Sequence, residues 1–408
     1  MKTKDKTKKA DYQGLVPTLR FPEFRDAGEW TYRKLGGFIT ERNEPPTEKL
    51  PLFSLTIENG VTPKTERYER AFLVKDEEEA YKTVCPDDFA YNPMNLRFGA
   101  IARYCGTEKV ALSKYYNIFY CDDSVDSRFC EIYFKSCGMI THYDNAATGS
   151  LIEKRRVHFR EFLKFKIRFP SLSEQQKIAD CLSSLDELIR AQAHKLDTLK
   201  SHKKGLMQQL FPAPGQTTPT LRFPEFQEAG DWEERPLESI CGMQAGKFVS
   251  ASKINEKFEA GLYPCYGGNG LRGFTKTHTH TGKYPLIGRQ GALCGNIFFA
   301  KEKFHATEHA IVATPFKGLD ITWLYYLLVH LNLNQYATGQ AQPGLSVDIL
   351  KKVTTIIPAK EKEQKKIADC LSSLDELIAA QTHKLDTLKA HKKGLMQQLF
   401  PNPDEADR

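Results

Sequence analysis

The sequence predicts a mixed α+β fold in which two globular α/β blocks are joined by two long antiparallel coiled-coil helices with a pseudo-two-fold repeat. The main observation is that residues 174–212 recur at residues 363–401 with four changes. A shorter motif, TLRFPEFRDAGEW from Thr18, also returns as TLRFPEFQEAGDW from Thr220. Because self-similarity at a fixed offset reveals architecture directly, these two repeats define a duplicated frame.

Two dissimilar blocks lie between the repeats. Residues 31–173 and 233–362 differ in length and share little beyond one Ala-Thr-Gly, at 147–149 and 337–339. This contrast indicates a common structural or partner-binding role for the helices and separate specificities for the blocks. The repeat order divides the chain into a basic N-terminal tail (1–17), a first globular domain (18–173), a first long helix (174–211), a linker (212–220), a second globular domain (221–362), a second long helix (363–400) and a C-terminal tail (401–408).

Composition narrows the class of protein. A chain of 408 residues suits two or three domains, and its net charge of +7 favours an anionic partner such as nucleic acid without requiring one. No run of about 18 apolar residues occurs, so we expect no membrane association and a cytoplasmic protein. Ten cysteines without a CxxC pair indicate reduced thiols rather than a disulfide framework or a zinc site.

The repeated segment has a heptad rhythm, because its apolar residues advance in alternating steps of four and three. Such a period, held over more than four heptads, predicts helices that wind around each other rather than one amphipathic surface helix. Ser171 and Glu174 are typical of a capping box that starts the first helix. The predicted seam of the first copy consists of Ile178, Leu182, Leu185, Ile189, Gln192, Leu196, Leu199, Lys203, Leu206 and Leu210. The matching seam of the second copy contains Ile367, Leu371, Leu374, Ile378, Gln381, Leu385, Leu388, Leu395 and Leu399.

The linker length predicts that the two helices are antiparallel. A helix over residues 178–210 is about 50 Å long, whereas the linker after Pro212 spans at most about 30 Å and cannot run back along it. The second helix is therefore expected to start near the end of the first and return, with the blocks at opposite poles. Gln192 and Gln381 would then meet near the middle, where we predict that they hydrogen-bond and help to fix the register.

The second block contains a segment typical of nucleic-acid contacts. Residues 263–296 read YPCYGGNGLRGFTKTHTHTGKYPLIGRQGALCGN, which is dense in Gly, aromatic residues and positive charge. Glycine lets backbone amides approach phosphate, and Arg or Gln can pair bidentately with guanine or adenine. The candidate residues are Arg272, Lys283, Arg289 and Gln290. The alternative, tight turns of a small β-rich domain with solvated charges, stays open for each of them.

The first block is less rich in Gly. Its segment FAYNPMNLRFGAIARY, residues 89–104, supplies the candidates Asn95, Arg97 and Arg103. Its alternation of apolar and polar residues over 96–104 predicts a strand leading into a loop, so that some of these side chains face a core. Further candidates are Lys114, Tyr115 and the basic cluster at 154–156.

Three near-motifs do not support an enzyme. GMQAGKF, residues 242–248, has too few residues between its glycines and a Phe where a phosphate loop needs Ser or Thr. Asn92-Pro93-Met94-Asn95 lacks the second Pro and the aromatic residue of an amino-methyltransferase loop, and we interpret it as a turn. His305 and His309 have helical zinc spacing, but no third ligand follows, so we interpret both as structural.

Several long segments resemble one known family. The chain is similar, over nearly its whole length, to the specificity subunits of type I restriction-modification systems. The segments that carry this resemblance are IGRQGALCGN (287–296), HATEH (305–309), QPGLSVDILKKVTTIIP (342–358), FAYNPMNLRFGAIAR (89–103), and KIADCLSSLDELI with KKGLMQQLF in both helices.

The resemblance implies a non-catalytic subunit that binds double-stranded DNA, in which each block is a target-recognition domain. Each domain would read one half of a bipartite asymmetric site, and the helices would fix the spacer. The implied partners are two methyltransferase (M) subunits and, through them, the restriction (R) subunits. S-adenosylmethionine, ATP and Mg would be bound by those partners and not by this chain. The Arg and Gln candidates above come from their chemistry and not from the resemblance.

Two other classes of function stay open. A self-contained DNA modification or cleavage enzyme would need a methyl-donor loop or a nuclease carboxylate cluster, and the sequence offers neither. A coiled-coil adaptor without DNA specificity would explain the helices but leaves the Gly- and Arg-rich segments without a role.

Overall fold

The structure is a computed structural model that describes residues 16–64, 80–151, 155–291, 293–339 and 343–400. Most of the predicted N-terminal tail, Lys154 of the basic cluster and the C-terminal tail lie outside the described residues. The chain forms two compact units. The first unit combines Met1–Ala191 with Leu385–Arg408, and the second unit is Gln192–Lys384.

The first unit is a set of small antiparallel sheets with short helices. Its described strands are β1 (Thr31–Lys34), β2 (Ile39–Arg42), β3 (Phe53–Thr56), β4 (Gly60–Pro63), β5 (Tyr81–Val84), β6 (Phe89–Tyr91), β7 (Ile101–Arg103), β8 (Val110–Ser113), β9 (Asn117–Cys121) and β10 (Lys166–Phe169). Its short helices are α1 (Ser127–Phe134), α2 (Cys137–Ala146) and α3 (Phe159–Phe162). A four-stranded sheet has the order β2-β9-β6-β7, and the pairs β1-β10, β3-β4 and β5-β8 accompany it.

The second unit has two four-stranded sheets. Its described strands are β11 (Glu233–Pro236), β12 (Cys241–Ala245), β13 (Tyr263–Gly267), β14 (Gly270–Thr275), β15 (His280–Thr281), β16 (Tyr284–Gly288), β17 (Ile297–Ala300), β18 (Lys303–Ala306), β19 (Ala310–Pro315) and β20 (Thr354–Ile357). The sheets have the orders β12-β19-β16-β17 and β14-β13-β18-β15, and β11 pairs with β20. Helices α5 (Ile321–His330) and α6 (Val347–Lys351) complete the block.

Two long helices, α4 (Leu172–Leu210) and α7 (Glu361–Leu399), are each 39 residues long and continuous. The predicted fold class is therefore confirmed: mixed α/β blocks are combined with two long helices from the repeated segments. The seam residues named from the heptads are buried or half-buried along both helices, whereas the positions between them are mostly exposed. This one-sided burial is what a paired amphipathic helix requires.

Contacts within each unit show that α4 and α7 run in opposite directions. In the second unit, Gln192 Nε2 donates to Gln381 Oε1, so the predicted hydrogen bond between these two amides is present. Further along, Lys203 Nζ donates to Asp375 Oδ1 at 2.6 Å. As the residue number on α4 rises from 192 to 203, that on α7 falls, which defines an antiparallel pair.

The repeat places the same ion pair in the first unit. Lys392 Nζ donates to Asp186 Oδ2 at 2.6 Å, and these residues are the repeat counterparts of Lys203 and Asp375. Each lysine is only partly exposed, so its methylene stem covers apolar surface while its ammonium group reaches the carboxylate. The two units thus share one helix-pairing scheme.

The repeated TLRFPEF motif ties each block to the start of a long helix. In the first unit, Arg20 forms a two-pronged ion pair with Glu174 at 2.7 and 2.6 Å, and Trp30 Nε1 donates to the same carboxylate at 3.4 Å. In the second unit, Arg222 and Trp232 make the same contacts to Glu363. A carboxylate buried in this way needs such donors, because an unpaired buried charge is strongly unfavourable.

The predicted capping box is half confirmed: its serine contact is present, whereas its glutamate contact is replaced by this ion pair. The Ser171 hydroxyl does accept the Glu174 N–H at 3.3 Å. The Glu174 carboxylate, however, is engaged by Arg20 and Trp30 instead of turning back to the Ser171 amide. The second copy has Lys360 in place of the serine yet keeps the acidic residue, which agrees with this role.

Candidate nucleic-acid interface

In each unit, two of the candidate residues lie on the corresponding loop of a four-stranded sheet. In the first unit, Asn95 and Arg97 lie between β6 and β7. In the second unit, Arg289 and Gln290 lie between β16 and β17. These strands hold the third and fourth places in the two sheet orders. Candidates taken from blocks with little common sequence therefore occupy equivalent positions.

The Ala-Thr-Gly shared by the two blocks takes part in a short antiparallel pairing in each unit. Thr148 and Arg156 exchange two backbone hydrogen bonds, of 3.0 and 2.9 Å, and Thr338 and Gly344 exchange two of 2.9 Å. Gly344 also forms a β-bridge with Gln290. The tripeptide thus closes a short antiparallel pairing that, in the second unit, holds the backbone of the candidate loop.

A polar cleft of about 480 Å³ opens beside this loop in the second unit. Its side-chain lining includes Asn269, Arg272, Gln290 and His309. Arg272 and Gln290 are both at least partly exposed, so the structure brings a guanidinium and a carboxamide to one solvent-facing surface. These are two of the side chains that can form paired hydrogen bonds with base edges.

Close backbone packing explains why the cleft is rich in glycine. A Cβ at Gly288 would overlap the carbonyl oxygen of Gly268, so no side chain fits there. Gly270 has φ +89°, and a Cβ there would lie 2.6 Å from Cε1 of Phe298. The turn can therefore approach the end of β16 only because Gly288 lacks a side chain, and it can approach the Phe298 ring only because Gly270 lacks one.

Sequence reasoning did not identify Asn269 or His309, which line the cleft, as site residues. His309 Nε2 lies 3.2 Å from Glu308 Oε1. The second carboxylate oxygen of Glu308 is buried and has no hydrogen-bond partner among the described residues. A buried acceptor of this kind costs free energy unless a donor reaches it. The GGNG turn and the HATEH segment were the available signals.

The other two candidates of the second block do not line the cleft. Lys283 precedes β16 and Gln290 follows it, and a strand of five residues spans about 16 Å. Lys283 therefore lies at the far end of that strand. The backbone of Arg289 is fixed on both sides, because its N–H donates to His309 O and its carbonyl accepts from Leu345 N–H, each at 2.9 Å.

In the first unit, Asn92 forms the predicted turn at the start of the candidate loop. Its Oδ1 accepts the N–H groups of Met94 and Asn95, at 3.0 and 3.1 Å. The strand predicted over 96–104 is wrong in part, because residues 96–98 form a 3-10 helix and only β7 is extended. The Asn92 hydrogen bonds start a tight turn that overrides the alternating pattern. Asn95 itself is exposed.

Arg97 and Arg155 of the first unit converge on one carboxylate. Arg97 lies 3.5 Å from Asp144 and stacks over Phe98 at 4.6 Å. Arg155 Nη1 lies 4.0 Å from the same carboxylate, and the Arg155 guanidinium also donates to the backbone carbonyls of Asp144 and Ala147, at 2.9 and 3.0 Å. The Arg97 side chain is therefore held against α2, in which Asp144 lies.

Arg103 points to carboxylates of its own unit. Its Nε donates to Glu131 at 3.2 Å, and its Nη1 donates to Asp87. Its side chain is 16% exposed, so these contacts leave little of the guanidinium open to solvent. The structure thus shows Arg103 linking β7 to α1.

Lys114 and Tyr115 form an exposed turn between β8 and β9. The Tyr115 ring contacts Tyr116 edge to face, with centroids 6.1 Å apart. Partial burial raises the pKa of Tyr115, and the nearby positive charge of Arg156 opposes that rise. Lys114, Tyr115 and Arg156 therefore belong to one side of the unit, which an aromatic ring and basic side chains share.

The rejected near-motifs have ordinary structural explanations. His305 lies on β18, not on a helix, and its ring nitrogens contact Thr277 Oγ1 at 3.1 Å and the Lys247 carbonyl at 3.0 Å. His305 is therefore structural as expected, and His309 lines the cleft, where its role stays a prediction. The lookalike phosphate loop contains β12, whose backbone pairs with β19. Among the described residues, no helix is long and apolar enough to cross a membrane.

Comparison with known proteins identifies a family. A family model described as the Type I restriction modification DNA specificity domain matches residues 147–201 and 229–390, together more than half of the chain. The matched residues include most of both long helices and most of the second block.

Curated relatives match parts of the chain. A type I restriction enzyme specificity subunit (EcoprrI) from Escherichia coli is 45% identical over 158 residues, which is 38% of this chain and 39% of that protein. A type I restriction enzyme specificity subunit (MjaVIII) from Methanocaldococcus jannaschii is 30% identical over 269 residues, which is 59% of this chain and 62% of that protein. The chain thus spans less than two thirds of the length of either relative.

Solved structures share the fold. The S subunit of a type I restriction-modification system from M. genitalium aligns with a TM-score of 0.65 at 16% identity, over 95% of this chain and all of that one. A chain from a structure on complex assembly and conformational transition of the type I R-M system aligns with a TM-score of 0.53 at 18% identity, over 93% of this chain and 97% of that one. At these identities the likeness shows the fold alone.

Proposed function

The chain belongs to the type I restriction-modification DNA specificity family, and from that premise we propose that it reads DNA sequence for such a system without catalysing a reaction. Each block would read one half of a bipartite asymmetric site. The observation that carries the proposal is the cleft of the second unit, where Arg272 and Gln290 meet beside Asn269. Relatives named as specificity subunits support it.

The chemistry of the cleft suits base edges in the major groove. A carboxamide such as that of Gln290 or Asn269 can donate to and accept from adenine, and the guanidinium of Arg272 can donate twice to guanine. The His309 ring, which also lines the cleft, would add a further polar group for a base edge. The glycine-rich walls allow phosphate to approach the backbone closely.

The first block would use the equivalent loop and the neighbouring basic turn. Asn95 is the exposed carboxamide there, and Arg97 carries a positive charge held beside Asp144. Lys114 and Arg156 would contact phosphates, and Tyr115 would pack against the sugar or a base. Because the lining residues differ from those of the second block, the two half-sites would differ in sequence.

The long helices would set the spacer and dock the partner subunits. Each helix is continuous over 39 residues, and the seam is pinned by the Gln192–Gln381 hydrogen bond and by repeated Lys–Asp pairs. A stiff helical pair suits a fixed separation between half-sites. Two methyltransferase subunits and, through them, the restriction subunits would supply the chemistry, with S-adenosylmethionine, ATP and Mg bound there. The complex would act in the cytoplasm.

The test is selection of duplexes from a random pool by the full chain copurified with its methyltransferase partner. We expect a bipartite consensus and binding that weakens steeply with salt. Gln290→Ala should weaken the free energy of binding to the preferred base pair by about 1–3 kcal/mol and should relax the sequence preference at that position alone. The matched control is Lys283→Ala, which lies in the same block outside the cleft and should leave the consensus unchanged.

Three outcomes separate the alternatives. A consensus that changes at one position in Gln290→Ala supports the proposal. The absence of any sequence preference in the complex would indicate an adaptor, and methylation or cleavage by the isolated chain would indicate an enzyme. Either of these last two results overturns the proposed function.

A further inference from the structure

We propose that a lysine-lined cleft in the first unit is a docking site for an acidic segment of a partner protein that inserts one large apolar side chain. The cleft has a volume of about 500 Å³ and lies between the start of α2 and the last turns of α7. Its lining is Lys135, Ser136, Cys137, Gly138, Lys389, Lys392, Lys393, Met396, Gln397 and Phe400, and we call it the lysine cleft. The proposal goes beyond DNA reading and does not depend on it.

Positive charge surrounds the opening of the lysine cleft. Lys389 and Lys393 line it from α7. Lys392 contacts Asp186, and Lys135 lies 3.4 Å from Glu131, so these two ammonium groups are partly neutralised. Four lysines against two carboxylates leave an excess of positive charge, which favours an anionic ligand.

An apolar floor distinguishes the lysine cleft from a simple phosphate site. Phe400 is 6% exposed and stacks on Tyr133 with centroids 5.4 Å apart, and Met396 is half-buried beside it. A phosphate group gains nothing from such a floor. An apolar side chain gains from the burial, and a flexible Met adapts to its shape. Charge and floor together therefore favour a peptide with carboxylates flanking an apolar residue over a nucleic-acid backbone.

The internal repeat shows that the helix lysines alone do not make the cleft. Lys200 and Lys204 on α4 are the repeat counterparts of Lys389 and Lys393. Helices α1 and α5 correspond, since Asp126 caps one and Asp320 the other through the same two backbone contacts. The second unit then has Val329 where the first has Lys135, and the ring of the next residue, His330, stacks on Phe211 at 4.8 Å.

This difference predicts one docking site per chain. The helix faces are common to both units, whereas the wall supplied by the block is basic in the first unit and aromatic in the second. A partner that recognised the helices alone would bind both units alike. An occupant that needs Lys135 and Cys137 would bind the first unit only.

The experiment measures binding of a fluorescein-labelled peptide of sequence EELFEE to the full chain by anisotropy. We expect saturation at one peptide per chain. The double variant Lys389→Ala with Lys393→Ala should weaken binding about tenfold, which corresponds to about 1.4 kcal/mol. The matched control, Lys200→Ala with Lys204→Ala, removes the same residues from the other repeat and should leave binding unchanged.

Cysteine labelling gives a second readout that does not need a variant. Cys137 lines the lysine cleft and is exposed, and Cys105 of the same unit is also exposed. Saturating EELFEE should slow alkylation of Cys137 at least fivefold and leave Cys105 unchanged. Mass spectrometry of the two tryptic peptides measures both rates in one sample.

Any of four outcomes would overturn the proposal. Equal binding of EEGGEE would mean that the floor plays no part and that the cleft takes any anion. Displacement of EELFEE by a short random-sequence DNA duplex with protection of Cys137 would make the cleft a DNA contact. Absence of binding, or equal loss in both double variants, would leave no docking site in the first unit.

Discussion

Replacing Glu174 with glutamine should selectively loosen the first unit. The Glu174 carboxylate accepts two hydrogen bonds from Arg20, at 2.7 and 2.6 Å, and one from Trp30. The side chains of Arg20 and Glu174 are 7% and 1% exposed. Glutamine keeps the size and one oxygen acceptor but removes the negative charge, so the Arg20 guanidinium stays buried without its counterion.

The expected cost follows from these contacts. Removal of one partner from a buried ion pair costs about 3–5 kcal/mol, because the remaining charge is not solvated. The substituted glutamine can still accept a hydrogen bond from Trp30, and Arg20 keeps its 2.6 Å hydrogen bond to the Gly28 carbonyl. We therefore expect the free energy of unfolding of the first unit to fall by about 3 kcal/mol. Removing both charges, with Arg20→Met and Glu174→Leu, should cost less than the single change.

Hydrogen–deuterium exchange measures the effect where it occurs. If the local stability of the first unit falls by about 3 kcal/mol, the β1–β10 amides should exchange about a hundredfold faster, because local opening controls their protection. The β11–β20 pair of the second unit is the internal control and should not change. Glu363→Gln should give the mirror result, because Arg222 makes the same contacts there.

An exposed ion pair provides the contrasting variant. Lys177 lies 3.0 Å from Glu23, and their side chains are 50% and 45% exposed. Lys177→Ala should therefore change the free energy of local opening at the β1–β10 amides by no more than about 1 kcal/mol. If Glu174→Gln speeds exchange of β1–β10 by less than about fivefold, or affects both units equally, the assignment of the motif as a buried anchor is incorrect.

The remaining predictions concern register, pH and modularity. Changing Gln192 and Gln381 to Leu should preserve or raise stability but loosen the register, so binding should tolerate half-site spacers changed by one base pair; unchanged spacer selectivity and partner assembly would contradict this. Burial lowers the pKa of His330 below its ordinary 6.5, so the unfolded chain binds the proton more readily and the second unit should lose stability as pH falls below about 6.5. Thermal unfolding of His330→Gln should show a smaller loss between pH 7.5 and 5.5, and an identical pH slope would exclude the effect. Replacing residues 31–173 with another reader should change one half-site only, and altered methylation at both halves would refute modularity.

The helices could be predicted because their signal is local and repeated. Steps of four and three place residues such as Leu182 and Leu371 on one face whatever lies around them, and both are fully buried. The Gln192–Gln381 hydrogen bond followed from the repeat and the short linker alone. The capping box was half wrong because Glu174 is 154 positions from its partner Arg20, and no local pattern indicates that pairing.

The candidate DNA-contacting residues could be named from the sequence only as a set, because neighbours far away in sequence decide the surroundings of each side chain. Arg97 and Arg103 look alike in the sequence, yet Arg97 lies beside Asp144 and Phe98, whereas Arg103 contacts Asp87 and Glu131. Gln290 and Lys283 lie at opposite ends of one strand, which spacing alone does not reveal. The common sheet order of the two blocks was also hidden, since backbone pairing tolerates almost complete change of side chains.

The core of the first unit has a consequence for how the protein is made. Leu399 and Phe400 pack with Trp30 and Phe129 in that core, although more than half of the chain lies between them. On the ribosome, the N-terminal block must therefore wait for the far end of α7 before its aromatic face is covered. Such distant contacts form slowly, because a long loop must close first. Until α7 is present, the nascent first unit therefore exposes this apolar face, and such exposure favours aggregation.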